Sequence, residues 1–141
     1  MKTIHSKILY LAFVLISFIA CGQKENVKSN GTNADQASIS LISPDDLNSA
    51  NKDDILLIDV RTPQEFASGH LENAVNMNYF DSDFEAQFKT LDKNKAVYLY
   101  CKSGRRSANA AEKLEDMGFV KIYDLEGGVV NWQSKGLTLS K

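Results

Sequence analysis

Cysteine and histidine are scarce: the 141 residues hold two of each. Two cysteines cannot build the disulfide framework of a small stapled domain. Two histidines and so few thiols leave no cluster with metal-ligand spacing, so no metal and no bound cofactor are expected. Charge of one sign is lacking as well. Sixteen Lys and Arg meet eighteen Asp and Glu, and a net charge of −2 has the wrong sign for a nucleic-acid binder. The longest apolar run, Ile8 to Ala20, is short for a membrane span. No internal repeat is visible. What remains is an ordinary 43% hydrophobic content, enough to pack one domain rather than two.

The amino terminus is a region of its own. Lys2 and Lys7 precede the apolar run, as in a secretory signal. The run stops at Ile19-Ala20-Cys21-Gly22, which resembles a bacterial lipobox, with Phe18 where leucine is commonest. The resemblance implies that residues 1–20 are a removed signal peptide and that Cys21 is lipidated. The chain would then be exported and held in the cell envelope by acyl chains. An ordinary signal peptide with a chance cysteine, or an uncleaved anchor, are the alternatives. Residues 21–37 are polar and rich in Asn, Lys and Gly, as a flexible tether would be. The folded domain is expected over residues 38–141, and a domain of that size needs no partner to fold, so a monomer is expected.

Within the domain, apolar runs alternate with amphipathic ones. Ile39–Ile42, Ile55–Val60, Ala74–Asn76, Ala96–Tyr100 and Val120–Tyr123 read as strands, with Ala96–Tyr100 central. The two prolines, Pro44 and Pro63, each follow a hydroxyl residue, the cap-then-proline signal of a helix start. Phe84, Phe88 and Leu91 have helical spacing after Asp81–Asp83. Ser107–Met117 reads as a helix stopped by Gly118, and Val129–Ser134 as a short one carrying the single Trp. The alternation predicts an α/β domain with a mostly parallel sheet flanked by helices on both faces. Ligands of such sheets sit at the carboxyl ends of strands, where Asp59 and Cys101 lie.

The segment Cys101-Lys-Ser-Gly-Arg-Arg-Ser107 carries the chemistry. A strand delivers the thiol, and a helix follows within a few residues. Successive N–H groups in such a turn can form an anion-binding nest, and the helix N-terminus adds its positive dipole end. Gly104 permits backbone angles closed to other residues. Lys102, Arg105 and Arg106 add formal charge. A helix start favours acids, so three cations there are best explained by an anion that visits. All of this lowers a thiol's pKa, and the thiolate is the nucleophile. The bland alternative is a half-buried strand-end Cys followed by a solvated basic loop.

These residues resemble the active-site loop of the rhodanese family, in which Cys opens a six-residue loop closed by Arg. Here those are Cys101 and Arg106, with Gly104 in the matching place. The likeness extends to Leu57–Asn76 (L-I-D-V-R-T-P-Q-E-F-A-S-G-H-L-E-N-A-V-N) and to Leu125–Trp132 (L-E-G-G-V-V-N-W). It implies a single rhodanese-like domain and sulfurtransferase activity. A small anionic donor such as thiosulfate would load a persulfide onto Cys101. A thiophilic acceptor, cyanide or a small or protein thiol, would remove it. The loop from Lys102 through Ser103 and Gly104 to Arg106 would hold the outer sulfur. Lys102 and Arg105 would bind donor oxygens, and Arg106 would close the loop. A persulfide carrier needs no second cysteine, which accounts for the unpaired thiol.

Asp59, Arg61 and Ser107 are read as supporting residues. Asp59 is a candidate partner for Arg106, and Arg61 is expected to pair with Glu65, four residues on. His70, in G-H-L, matches a family position regarded as structural rather than a catalytic base. Trp132, Phe84 and Phe88 are expected in the core, and Tyr79 and Phe80 at the rim of the site. Two other uses of the fold stay open. A phosphatase or arsenate reductase would carry one more loop residue than the four between Cys101 and Arg106. A non-enzymatic binding module or a carrier for one partner would not turn over sulfur.

Overall fold

The computed structural model describes residues 37–51 and 55–141. The expected signal peptide, the expected lipidation at Cys21 and nearly all of the expected tether fall outside the described residues. Five strands form one sheet: β1 (Ser38–Ile42), β2 (Leu56–Asp59), β3 (Val75–Asn76), β4 (Val97–Tyr100) and β5 (Lys121–Leu125). Their order is β1-β5-β4-β2-β3, and every neighbouring pair is parallel. β4 is therefore the middle strand, as the sequence predicts.

Among the described residues four helices join successive strands, α1 (Pro44–Ser49), α2 (Pro63–Ser68), α3 (Phe84–Phe88) and α4 (Arg105–Asp116), and a fifth, α5 (Gly128–Ser134), follows β5. The first two start where the capping chemistry places them. The Ser43 hydroxyl accepts the Asp46 N–H at 3.1 Å. Thr62 and Glu65 form a reciprocal capping box around the start of α2. On α4, Ser107, Ala110, Ala111 and Leu114 are buried, the i, i+3, i+4, i+7 spacing of an inward face. This helix begins two residues before the expected Ser107. Gly104 takes a left-handed conformation (φ 97°) that closes the loop early, so Arg105 and Arg106 belong to the first helical turn.

Strand alternation sorts the core into two layers. Ile58, Val60, Val97, Leu99 and Ile122 face α3 and α4 and pack with Phe84, Phe88, Leu114 and Phe119. Leu57, Tyr100 and Leu125 face the other way and pack with Leu47, Leu71, Val129 and Trp132. Both faces of the sheet are thus covered, as parallel strands require. Polar ties cross the second layer, among them one from the Trp132 Nε1–H to Thr138 O at 3.0 Å. The Leu71 N–H donates to the Tyr100 hydroxyl at 3.1 Å, and both residues are fully buried. Tyr100→Phe would leave that N–H without a partner, at a cost of about 1–3 kcal/mol. Urea unfolding measures this, and an unchanged midpoint would show that the hydroxyl does not hold Leu71.

Candidate active site

The carboxyl end of β4 carries Cys101 out of the sheet, with 1% of its surface exposed. The chain then turns around its sulfur. The Gly104 N–H donates to Cys101 Sγ at 3.1 Å, and the Ser107 hydroxyl lies 3.6 Å from the same atom. The loop can present its N–H groups inward because its carbonyls are claimed from behind. Val129 N–H donates to Cys101 O and Val130 N–H to Lys102 O, both at 3.0 Å. These donors are free N–H groups at the start of α5. Gly128 brings them close enough. A Cβ there would lie 2.3 Å from Cys101 O, and its φ of 56° also favours glycine.

Two opposed effects act on the thiol. Burial pushes the Cys101 pKa up. The hydrogen bond from the Ser107 hydroxyl and those from the backbone N–H groups of Ser107, Ser103 and Gly104 pull it down. The hydrogen bonds win, and the thiol sits below its ordinary value. This is the environment of a reactive cysteine rather than of an inert core one.

A cavity of about 450 Å³ opens over the sulfur, lined by Tyr79, Phe80, Cys101, Ser103, Arg105, Arg106 and Asn109. Tyr79 and Phe80 form the expected rim, and the Arg106 guanidinium lies 5.8 Å from the Phe80 ring centre. Lys102 is exposed and is not among the residues that line the cavity. Asn109 does line it and went unforeseen, although it stands four residues after Arg105 on one helix. A larger cavity, about 610 Å³, lies among Ile55, Leu56, Lys95, Ala96 and Tyr98 near the amino ends of β2 and β4. No cysteine lines it.

The supporting ion pairs are exchanged relative to the sequence expectation. Arg106 pairs with Glu65, not Asp59, through two parallel bonds of 2.7 and 2.8 Å. Arg61 pairs with Asp59, not Glu65: its Nε lies 2.9 Å from both carboxylate oxygens, and Nη2 lies 2.6 Å from Oδ2. Arg61 stands before the Thr62 cap, so the four-residue helical spacing to Glu65 does not apply to it. It turns back instead to the fully buried Asp59 and also donates to Gly69 O at 2.8 Å. Asp59 and Arg61 thereby tie the end of β2 to the segment after α2. His70 stacks on Phe66 with ring centres 3.9 Å apart, and its Nδ1 lies 3.2 Å from Phe66 O. That is scaffold work.

The chain matches the Rhodanese-like domain family over residues 43–135, and it belongs to that family. It is 32% identical to a sulfurtransferase of Allochromatium vinosum, over 64% of this chain and 82% of that one. It is 31% identical to the thiosulfate sulfurtransferase GlpE of Pseudomonas syringae, over 66% of this chain and 86% of that one. Other relatives are named tRNA uridine(34) hydroxylase, and of those the chain covers under a third. Among solved structures, a rhodanese-related protein of Thermoplasma volcanium superposes with a TM-score of 0.63 at 32% identity. It covers 72% of this chain and 97% of its own.

The hydrogen bond from Arg106 drives the Glu65 carboxyl down from its ordinary 4.5 to about 2, against the burial that would raise it. A depressed carboxylate contributes stability that is fully present above its unfolded pKa and is lost as pH falls through the folded one. Wild-type protein is therefore expected to lose stability between about pH 4.5 and pH 2 in part through this pair. Glu65→Gln removes that part of the slope. Denaturation midpoints across the acid range test it, and parallel curves for the two proteins would contradict it.

Proposed function

We propose that this chain is a thiosulfate:thiophile sulfurtransferase working through a persulfide on Cys101. One observation carries the reading: a buried cysteine whose sulfur accepts the Gly104 N–H at 3.1 Å at the floor of a cation-lined cavity. The Cys101 thiolate attacks the outer sulfur of the donor. The donor's S–S bond breaks, sulfite leaves, and the outer sulfur stays on Cys101 as a persulfide anion. The loop N–H groups face that charge without having to reorganise, which is how fixed dipoles stabilise a developing anion. Arg105 and Arg106 attract the donor's oxygens, with Ser103 and Asn109 as neutral hydrogen-bonding groups beside them. Cyanide or a thiolate then attacks the outer sulfur and restores the Cys101 thiolate.

The cavity suits a donor of a few heavy atoms and two negative charges. The loop is the short form, with four residues between Cys101 and Arg106, and Arg106 is held by Glu65. This favours sulfur over a tetrahedral phosphoryl group. The chain is further proposed to act in the cell envelope as a monomer, exported and anchored by acyl chains on Cys21, with small or protein thiols as natural acceptors. The support for the anchor is the lipobox-like Ile19–Gly22 segment.

The test follows thiocyanate formation from thiosulfate and cyanide, with the full chain and its Cys101→Ser variant. Turnover by the wild type and none above background by the variant is expected. Loading of Cys101 without turnover would point to a carrier that needs its own partner. Folded, reduced protein that neither loads sulfur nor forms thiocyanate would overturn the reading.

A further inference from the structure

One buried ionisable group has no part in the chemistry above. Asp124 is the fourth residue of β5, and 3% of its surface is exposed. Its Oδ1 has no hydrogen-bond partner. An unpaired buried carboxylate is costly, and burial pushes the Asp124 pKa up to about 6 against a hydrogen bond with the Ser107 hydroxyl. Strand alternation places Asp124 on the same side of the sheet as Ile122, beneath α4. The same Ser107 Oγ lies 3.6 Å from Cys101 Sγ and 3.1 Å from Gly104 O, so its single rotatable proton has several acceptors within reach. Ser107 is itself fully buried. Two buried acids thus share one hydroxyl between them.

We propose that Asp124 is the proton partner of Cys101, so that the thiolate of Cys101 exists together with the neutral acid form of Asp124. In the resting form the thiol carries its proton, and Ser107 can donate to the Asp124 carboxylate. Activation breaks the Cys101 S–H bond, and Ser107 Oγ takes that proton. The proton that Ser107 held passes to Asp124. Thiolate and carboxylic acid replace thiol and carboxylate, with no change in net charge. The resulting line runs Asp124 O–H to Ser107 O–H to Cys101 sulfur, each group donating to the next. Both acids ionised at once would put two like charges in one buried space, which couples their titrations. The other formal charges nearby are Arg106, one residue before Ser107 on α4, and Glu65, which holds the Arg106 guanidinium. Neither touches Asp124, so the pairing is a property of Cys101, Ser107 and Asp124. Asp124 acts through Ser107 and is a positioning residue rather than a catalytic one.

The inference deepens the sulfurtransferase reading, but its test reads the thiol itself, so either can fail alone. The rate of Cys101 alkylation by iodoacetamide is followed from pH 5 to 10 in the wild type and in Asp124→Asn. The wild type should show two steps, because two coupled acids lose their protons in turn. Asparagine is always neutral, so the variant should show one step. Its thiol pKa should be lower by about one unit, with alkylation up to about tenfold faster near neutral pH. Identical profiles in two equally folded proteins would overturn the proposal. If Asp124→Asn does not fold, carbon-13 titration of the Asp124 carboxyl decides. The wild type should then titrate in two steps and Cys101→Ser in one, and matching single steps would overturn the proposal.

Discussion

The site depends on which way a few peptide units face. A strand-end cysteine in a parallel sheet has no special reactivity. Here the carbonyls of Cys101 and Lys102 are taken by the first N–H groups of α5, at 3.0 Å each. The loop's own N–H groups are left to turn toward the sulfur. That arrangement requires the α5 start to come almost into contact with the loop, and only glycine at position 128 allows it. It also requires the chain to reverse at Gly104 with a left-handed conformation. Two glycines set the geometry, and the cations are secondary to it.

The surrounding ion pairs hold this geometry from two sides. Asp59 and Arg61 are both buried and satisfy each other, and Arg61 also reaches Gly69 O. Asn76 adds two bonds, to Asp59 O and Arg61 O, at 2.9 and 2.8 Å. Breaking such a pair from one side leaves a buried charge unmatched, so its members act as a unit. Glu65 has two tasks. It caps α2 through Thr62 and grips Arg106, which lies in the first turn of a helix where a cation is otherwise unfavourable. The carboxylate offsets that cost and fixes where the guanidinium points.

Much of the architecture was legible because it rests on local signals. The hydroxyl–proline pairs marked two helix starts, and the apolar runs marked the strands, including the central one. Cys101, Gly104, Arg105 and Arg106 were legible as a site because their types and spacing have few other uses together. The ion-pair partners were not. Glu65 meets Arg106 across 41 residues of chain, a contact set by sheet order rather than by sequence spacing. The four-residue rule suggested Arg61 with Glu65, but it holds only within a helix, and Arg61 stands outside one. Asp124 left a signal that could have been read. Two residues after Ile122 on a strand, it falls on the inner face, where an acid needs a reason.

The claim that the loop's N–H groups hold the transferred sulfur is tested most directly by NMR. Backbone amide signals of Ser103, Gly104, Arg105 and Arg106 would be recorded before thiosulfate treatment, after it, and again after cyanide. If these groups hold the outer sulfur, their amide proton shifts move on loading and return when cyanide removes it. Remote amides such as that of Leu71 should stay in place. A Cys101 shown by mass to carry the extra sulfur, with loop amides unmoved, would contradict the claim and place the sulfur outside the nest.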